Sequence, residues 1–175
     1  MYGVLQRVEQ HDNDDHQTRL MLSFDAHFAR ERKSALGQLF DYWRVATDKG
    51  FIEDENQFRP RDCLPAETAQ WVSWVDTRTP SPLDFTWRDH IYAWEGEASR
   101  EFRDASGLRV RDYGPKRHGR FCATEYYLCK SEERPLYHEI EQWTGGVHRH
   151  YSRLLLPVRT AEGTVNRLVY VCRRL

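Results

Sequence analysis

The sequence has no apolar run of the roughly 18 residues that a membrane-spanning helix needs, so no span is expected. It has almost no net charge: 26 Lys and Arg against 27 Asp and Glu leave −1. A balanced chain has no general attraction for nucleic acid or for an anionic membrane. It has few cysteines, and Cys63, Cys122, Cys129 and Cys172 form no CxxC pair. That excludes a disulfide framework and leaves scattered reduced thiols, the pattern of a cytoplasmic protein. The opening MYGVLQRVEQHDNDDH lacks the apolar stretch of a secretory signal. GxSxG, P-loop, GxGxxG and HExxH motifs are all missing, so no common hydrolase, nucleotide or zinc-protease chemistry is marked.

What is present is aromatic. Mean hydropathy is −0.82, yet six Trp, nine Tyr and eight Phe supply large apolar surfaces for a core. A chain of 175 residues suits one domain with an extra arm. Residues 1–33, including HDNDDH, read as an N-terminal arm, partly disordered or helical. Leu36, Leu39, Phe40 and Trp43 recur at helical steps, with Ser34 as a cap and Gly50 just past a TDKG stop. Pro65-Ala66-Glu67 suits the first turn of a short helix. WVSWVD and FTWRD, joined by TRTPSP, read as a hairpin. The middle, 95–134, reads as loops and short helices, with 121–130 the best helix. Pro135–Trp143, Val147–Arg159 and Thr164–Arg174 read as three consecutive antiparallel strands. Pro157, awkward inside a ladder, implies a bulge or a strand end. The expected class is α+β.

The leading Leu39-Phe40-Asp41-Tyr42-Trp43, then Arg59-Pro60-Arg61-Asp62 with Leu64-Pro65, and finally Arg153-Leu154-Leu155-Leu156-Pro157-Val158 before Gly163 and Leu168-Val169-Tyr170-Val171, carry a resemblance. In this order of elements the chain resembles a PAS domain, and more narrowly the bacterial single-PAS proteins in which a helix ending in YW precedes the domain. Phe85-Thr86-Trp87-Arg88-Asp89-His90 keeps the arginine of the family's second strand but not its glycine. The resemblance implies a single domain over 34–175, with a five-stranded antiparallel sheet, helices over one face and an N-terminal helical extension. It also implies a non-enzymatic sensory or adaptor role through protein–protein contacts or a homodimer.

In such a fold a small-molecule ligand would lie between sheet and helices. The side chains expected to reach it are Trp74, Trp87, Tyr92, Trp94, Tyr126, Tyr127, His138, Trp143 and Tyr170, which could equally be core filler. The ligand and cofactor stay unknown: haem would need one axial histidine from His90, His118 and His138, and flavin is a further option. His148 and His150 share a strand face and could join His138 on a metal, or belong to a solvated face. The interface expected for a partner is the stripe Leu36, Leu39, Phe40 and Trp43. An enzyme would need an acid/base pair such as Glu139 and Glu141, or Cys122 beside His118 at i, i+4. The basic stretch Arg109–Arg120 is the one place suited to nucleic acid, and a solvated loop explains it as well.

Overall fold

In the computed structural model, which describes residues 4–12, 15–48, 50–52, 54, 56–88, 106–113, 116–144 and 147–175, the three C-terminal strands fall where the alternation puts them. They are β5 (Leu136–Thr144), β6 (Val147–Arg159) and β7 (Val165–Arg174). The first hairpin also forms, as β3 (Ser73–Asp76) and β4 (Thr86–Arg88). Phe85 and Trp87 are buried while Arg88 is exposed, as alternation requires. The fold is α+β, as expected.

Two expectations are corrected. The sheet has seven strands among the described residues, not five, in the order β1-β2-β5-β6-β7-β3-β4 with every neighbouring pair antiparallel. The extra pair is β1 (Val4–Asp12) and β2 (Asp15–Leu22), so the segment read as an arm is a hairpin added to the outer edge of β5. The dense polarity of HDNDDH masks the alternation of Gln17, Arg19 and Met21 with Thr18, Leu20 and Leu22. The second correction concerns the helices, which cover both faces of the sheet rather than one.

One face carries α1 (Phe24–Glu31) and α2 (Ala35–Ala46), with the single turns α3 (Pro60–Cys63) and α4 (Ala66–Ala69) beside them. They pack on Leu22, Tyr137, Leu154, Leu156, Val158, Val169 and Val171. The other face carries α5 (Lys116–Glu132), whose Cys122, Tyr126 and Cys129 lie on Leu136, Leu155, Leu168 and Tyr170. That buried stripe sits one residue along from the Phe121, Glu125, Leu128 spacing visible in the sequence.

The leading helix starts where Ser34 caps it: Gly37 N–H donates to Ser34 Oγ at 3.4 Å. It is not a free docking element. Leu36 and Leu39 are fully buried, Phe40 rests on Phe24 and Phe28, and Trp43 Nε1 donates to the Pro157 carbonyl at 2.7 Å. The apolar stripe is therefore satisfied by the chain's own sheet. Gly37 is required at the α1–α2 corner, since a Cβ there would lie 2.3 Å from the Glu31 carbonyl oxygen. Pro157 sits inside β6, opposite Leu168, but two residues past Leu155, where β5 begins. With β7 as its sole ladder neighbour at that point, β6 tolerates a residue without an N–H. The bulge falls next door, between Val158 and Arg159.

Candidate functional site

The α5 face contains charges that a core normally excludes. Arg19 of β2 and Arg153 of β6 point to the same side of the sheet, each about 2% exposed. Glu125 of α5 lies between them. Arg19 donates Nε to Oε1 at 2.6 Å and its NH2 to Oε2 at 2.5 Å, a bidentate pair. Arg153 donates its NH2 to the same Oε2, and Arg19 also donates its NH1 to Gln17 Oε1 at 3.1 Å. Burial pushes Glu125 up, but the charges of Arg153 and Arg19 outweigh it and hold the carboxyl well below its ordinary range.

His138 of β5 completes this layer, with Nε2 3.8 Å from Glu125 Oε1. Burial is the main cause that lowers it to about 3, so it is neutral at physiological pH. Its Nδ1 is buried without a hydrogen-bond partner among the described residues.

One carboxylate against two guanidiniums leaves a local positive surplus, and Cys122 lies beside it. Cys122 Sγ is 3.6 Å from Arg153 NH1 and 3.3 Å from His118 Nε2. The other ring nitrogen of His118, Nδ1, is 3.2 Å from Gln142 Oε1. An amide oxygen only accepts, so Nδ1 carries the proton and Nε2 faces the sulfur. Burial raises the thiol, yet the positive charge and hydrogen bond of His118, with Arg153 and Arg19 behind them, bring it down to about 6. Cys129 and Cys172 share the layer but lack that imidazole, and burial raises both, Cys172 to about 12. Nucleophile, base and orienting amide thus stand in line, although Cys122 is only 1% exposed.

The residues nominated from the sequence separate. Trp87, Tyr126, His138 and Tyr170 converge on the α5 face, where Trp87 Nε1 donates to Tyr126 Oη at 2.9 Å. Trp74 points to the opposite face and lines an open cavity there. Tyr127 faces outward from α5 and is 52% exposed. Trp143 is exposed and stacks on His148 with ring centroids 4.5 Å apart. Tyr92, Trp94 and His90 lie outside the described residues.

The three-histidine grouping is not formed. His138 opposes Arg153, whereas His148 and His150 oppose Trp143 and Glu141 on the other face of the sheet. Among the described residues no cluster of His, Cys, Asp and Glu could hold a metal ion. Glu139 and Glu141 also stay apart chemically: Glu139 pairs with Arg30 and Glu141 with His148. In the basic stretch, Arg109 and Arg111 both pair with Asp84, which spends their charge on a structural contact. Cys122 and His118 are the enzyme pair that does meet.

The sequence reading missed Arg19, Arg153 and Gln142, and counted Glu125 merely as helical spacing. The available signal was a lone arginine inside each of two apolar strands, RLML and SRLLLP. A charge there must either break the strand or find a buried partner. No protein-family model, curated protein or solved structure matches this chain.

Proposed function

We propose that the chain is a non-enzymatic, PAS-like sensory or adaptor domain whose responsive layer lies between α5 and the sheet, and whose output is contact with another protein or a second copy. Support for the architecture comes from β4-β3-β7-β6-β5, five contiguous antiparallel strands with α5 across one face. The two added strands and the helices on the opposite face extend that pattern.

The observation that carries the reading is the continuous, largely buried chain His118–Cys122–Arg153–Glu125–Arg19. Buried ion pairs gain little stability over apolar residues of the same volume, because desolvation offsets their attraction. What they supply is an interior whose charge state can change. Every member on α5 faces a member on β2, β5 or β6, so altering one alters how the helix is held.

The test uses hydrogen exchange of α5, residues 116–132. The chain carrying Cys63→Ser, which removes the exposed thiol, is measured before and after methylthiolation of Cys122. Faster exchange in α5, with no turnover of ester or thioester substrates, is the expected result. Unchanged exchange in α5 would sink the proposal. A second reading is favoured by the Cys122–His118–Gln142 line, which is the arrangement of a thiol-dependent acyl-transfer enzyme. Turnover that disappears in Cys122→Ser would establish it instead.

A further inference from the structure

The two outer strands of the sheet are finished differently. β4 is closed on its outer side by the backbone of residues 107–110. Trp87 N–H donates to the Leu108 carbonyl at 3.1 Å, Gly107 N–H to the Trp87 carbonyl at 2.7 Å and Val110 N–H to the Phe85 carbonyl at 2.9 Å. β1 pairs with β2 on its inner side, and among the described residues no backbone group bonds to its outer side. Such a row of open N–H and C=O groups is a template for another strand. β1 is nine residues long and has no lysine or proline to discourage pairing. Its irregularity falls between Val4 and Gln6, so residues 6–12 run in unbroken register. Val4 and Leu5 are exposed at its start, apolar side chains on an otherwise polar edge.

The side chains of β1 select the strand that fits. Val8 lies opposite Arg19 in the β1–β2 ladder, so Gln6, Val8 and Gln10 share the α5 face. Arg7, opposite Leu20, and Glu9 stand on the α2 face, where both are exposed and pair with each other along the strand. A two-fold axis through Val8, perpendicular to the sheet, lays a second β1 antiparallel to the first. Val8 then meets its own copy, Arg7 faces Glu9 of the second copy, Glu9 faces Arg7, and Gln6 faces Gln10. Opposite charges directly across a ladder attract, and like charges repel. Centring the axis one residue earlier sets Arg7 against Arg7, and one residue later sets Glu9 against Glu9. The strand is therefore complementary to itself in one register and repelled in the two beside it, as an isologous contact requires.

We propose that β1 pairs with β1 of a second copy of this chain, antiparallel and centred on Val8, so that the sheet continues across a two-fold dimer. Main-chain hydrogen bonds supply the attachment, and the Arg7–Glu9 pairs supply the register. A contact of one strand on one strand is smaller than a standard interface, so it is weak and depends on concentration. It gives the second-copy contact named above a surface, yet it draws nothing from the α5 layer. Hydrogen exchange of α5 bears on the sensory reading alone, and the mass of the particle in solution bears on this contact alone.

Sedimentation of the full chain at low salt, with reductant to exclude a disulfide through the exposed Cys63, tests the proposal. A dimer that grows in by about 1 mM chain, and weakens with added salt, is expected. Arg7→Glu gathers four acidic side chains about the axis, and Glu9→Arg gathers four basic ones. Each should weaken dimerisation by about tenfold. Both positions are exposed, so these changes leave the fold intact. An equimolar mixture of the two variants should recover the parent's dimer, because each acidic side chain then faces a basic one. The double variant Arg7→Glu/Glu9→Arg should recover it for the same reason. Arg44→Glu, on the exposed side of α2, is the control and should dimerise like the parent. A monomer at every concentration overturns the proposal. So does a dimer that neither single variant weakens, or losses that both the mixture and the double variant fail to restore.

Discussion

The two faces of the sheet solve the same packing problem with different chemistry. On the α2 face, aromatic and aliphatic side chains meet in the ordinary way: Phe24, Phe40, Leu36 and Leu39 lie on Tyr137, Leu154, Leu156 and Val169. One buried carboxylate, Glu31, ties the α1–α2 corner to the strands. It accepts from Arg173 NH2 at 2.7 Å, Tyr137 Oη at 3.0 Å and Ser34 Oγ at 2.8 Å. On the α5 face, aromatic packing stops partway, and Arg19, Glu125, Arg153, His138 and Cys122 take over. The charged partners of Glu31, Arg173 at 2.7 Å and Arg30 at 4.0 Å, both keep part of their side chains in solvent. Glu125 has two, both buried. The α2 face is held by area and tolerates loss of an ion pair. The α5 face depends on its charges remaining matched.

The comparison can be broken most directly at Glu125. Glu125→Gln leaves two buried guanidiniums without their carboxylate, and should cost about 3–5 kcal/mol in denaturant unfolding. A loss under about 1 kcal/mol would mean that water already solvates the cluster. On the other face, Leu39→Ala should cost about 2–5 kcal/mol by leaving a cavity under α2. It should leave the Cys122 titration unchanged, because the sheet separates the two layers. The counterpart, Glu31→Gln, keeps its shape and most hydrogen bonds, and should cost about 1–3 kcal/mol.

Acid sharpens the contrast. His138 titrates near about 3 when folded and at its ordinary value of 6.5 when unfolded. Between those values the unfolded chain binds the extra proton, so stability falls as pH drops from 6.5 toward 3. Glu125 and Glu31 are both lowered by their partners, and their contribution is present above the ordinary carboxyl value and lost below it. Cys122, lowered from 9.0 to about 6, gives up its contribution between those values, so the further decline below about pH 6 and before the carboxyls titrate is the signature of His138, and His138→Gln should flatten that part of the curve. Thiolate absorbance gives a smaller and local readout. It should rise with an apparent pKa of about 6, vanish in Cys122→Ser and shift upward in His118→Ala. The smallest effect belongs to the surface: Arg44→Ala removes the exposed pair with Asp41 and should change stability by less than about 0.5 kcal/mol.

Much of the fold was legible because it is written in local periodicity. The three last strands, the FTWR hairpin, the Ser34-capped helix and the turn at Gly163, whose φ is +82°, follow from alternation, capping and glycine. The N-terminal hairpin was hidden by its polarity. β1 is an edge strand and β2 presents Arg19 and Gln17 inward, so neither shows the apolar face by which a strand is recognised. The docking stripe on α2 was read correctly as apolar, but an apolar stripe does not say what will cover it.

The sequence by itself determined the Ser34-capped helix, the FTWR hairpin and the last three strands, because those follow from side-chain size, branching and spacing within a few residues. It also determined that Cys122 and His118 lie within reach, since four residues make one helical turn. Only the tertiary structure decided that Arg19, Glu125 and Arg153 share one buried layer. Those groups lie up to 134 residues apart, and strand register, not local pattern, sets which charges meet. A one-residue slip of β2 against β5 would turn Arg19 to the opposite face and undo the layer.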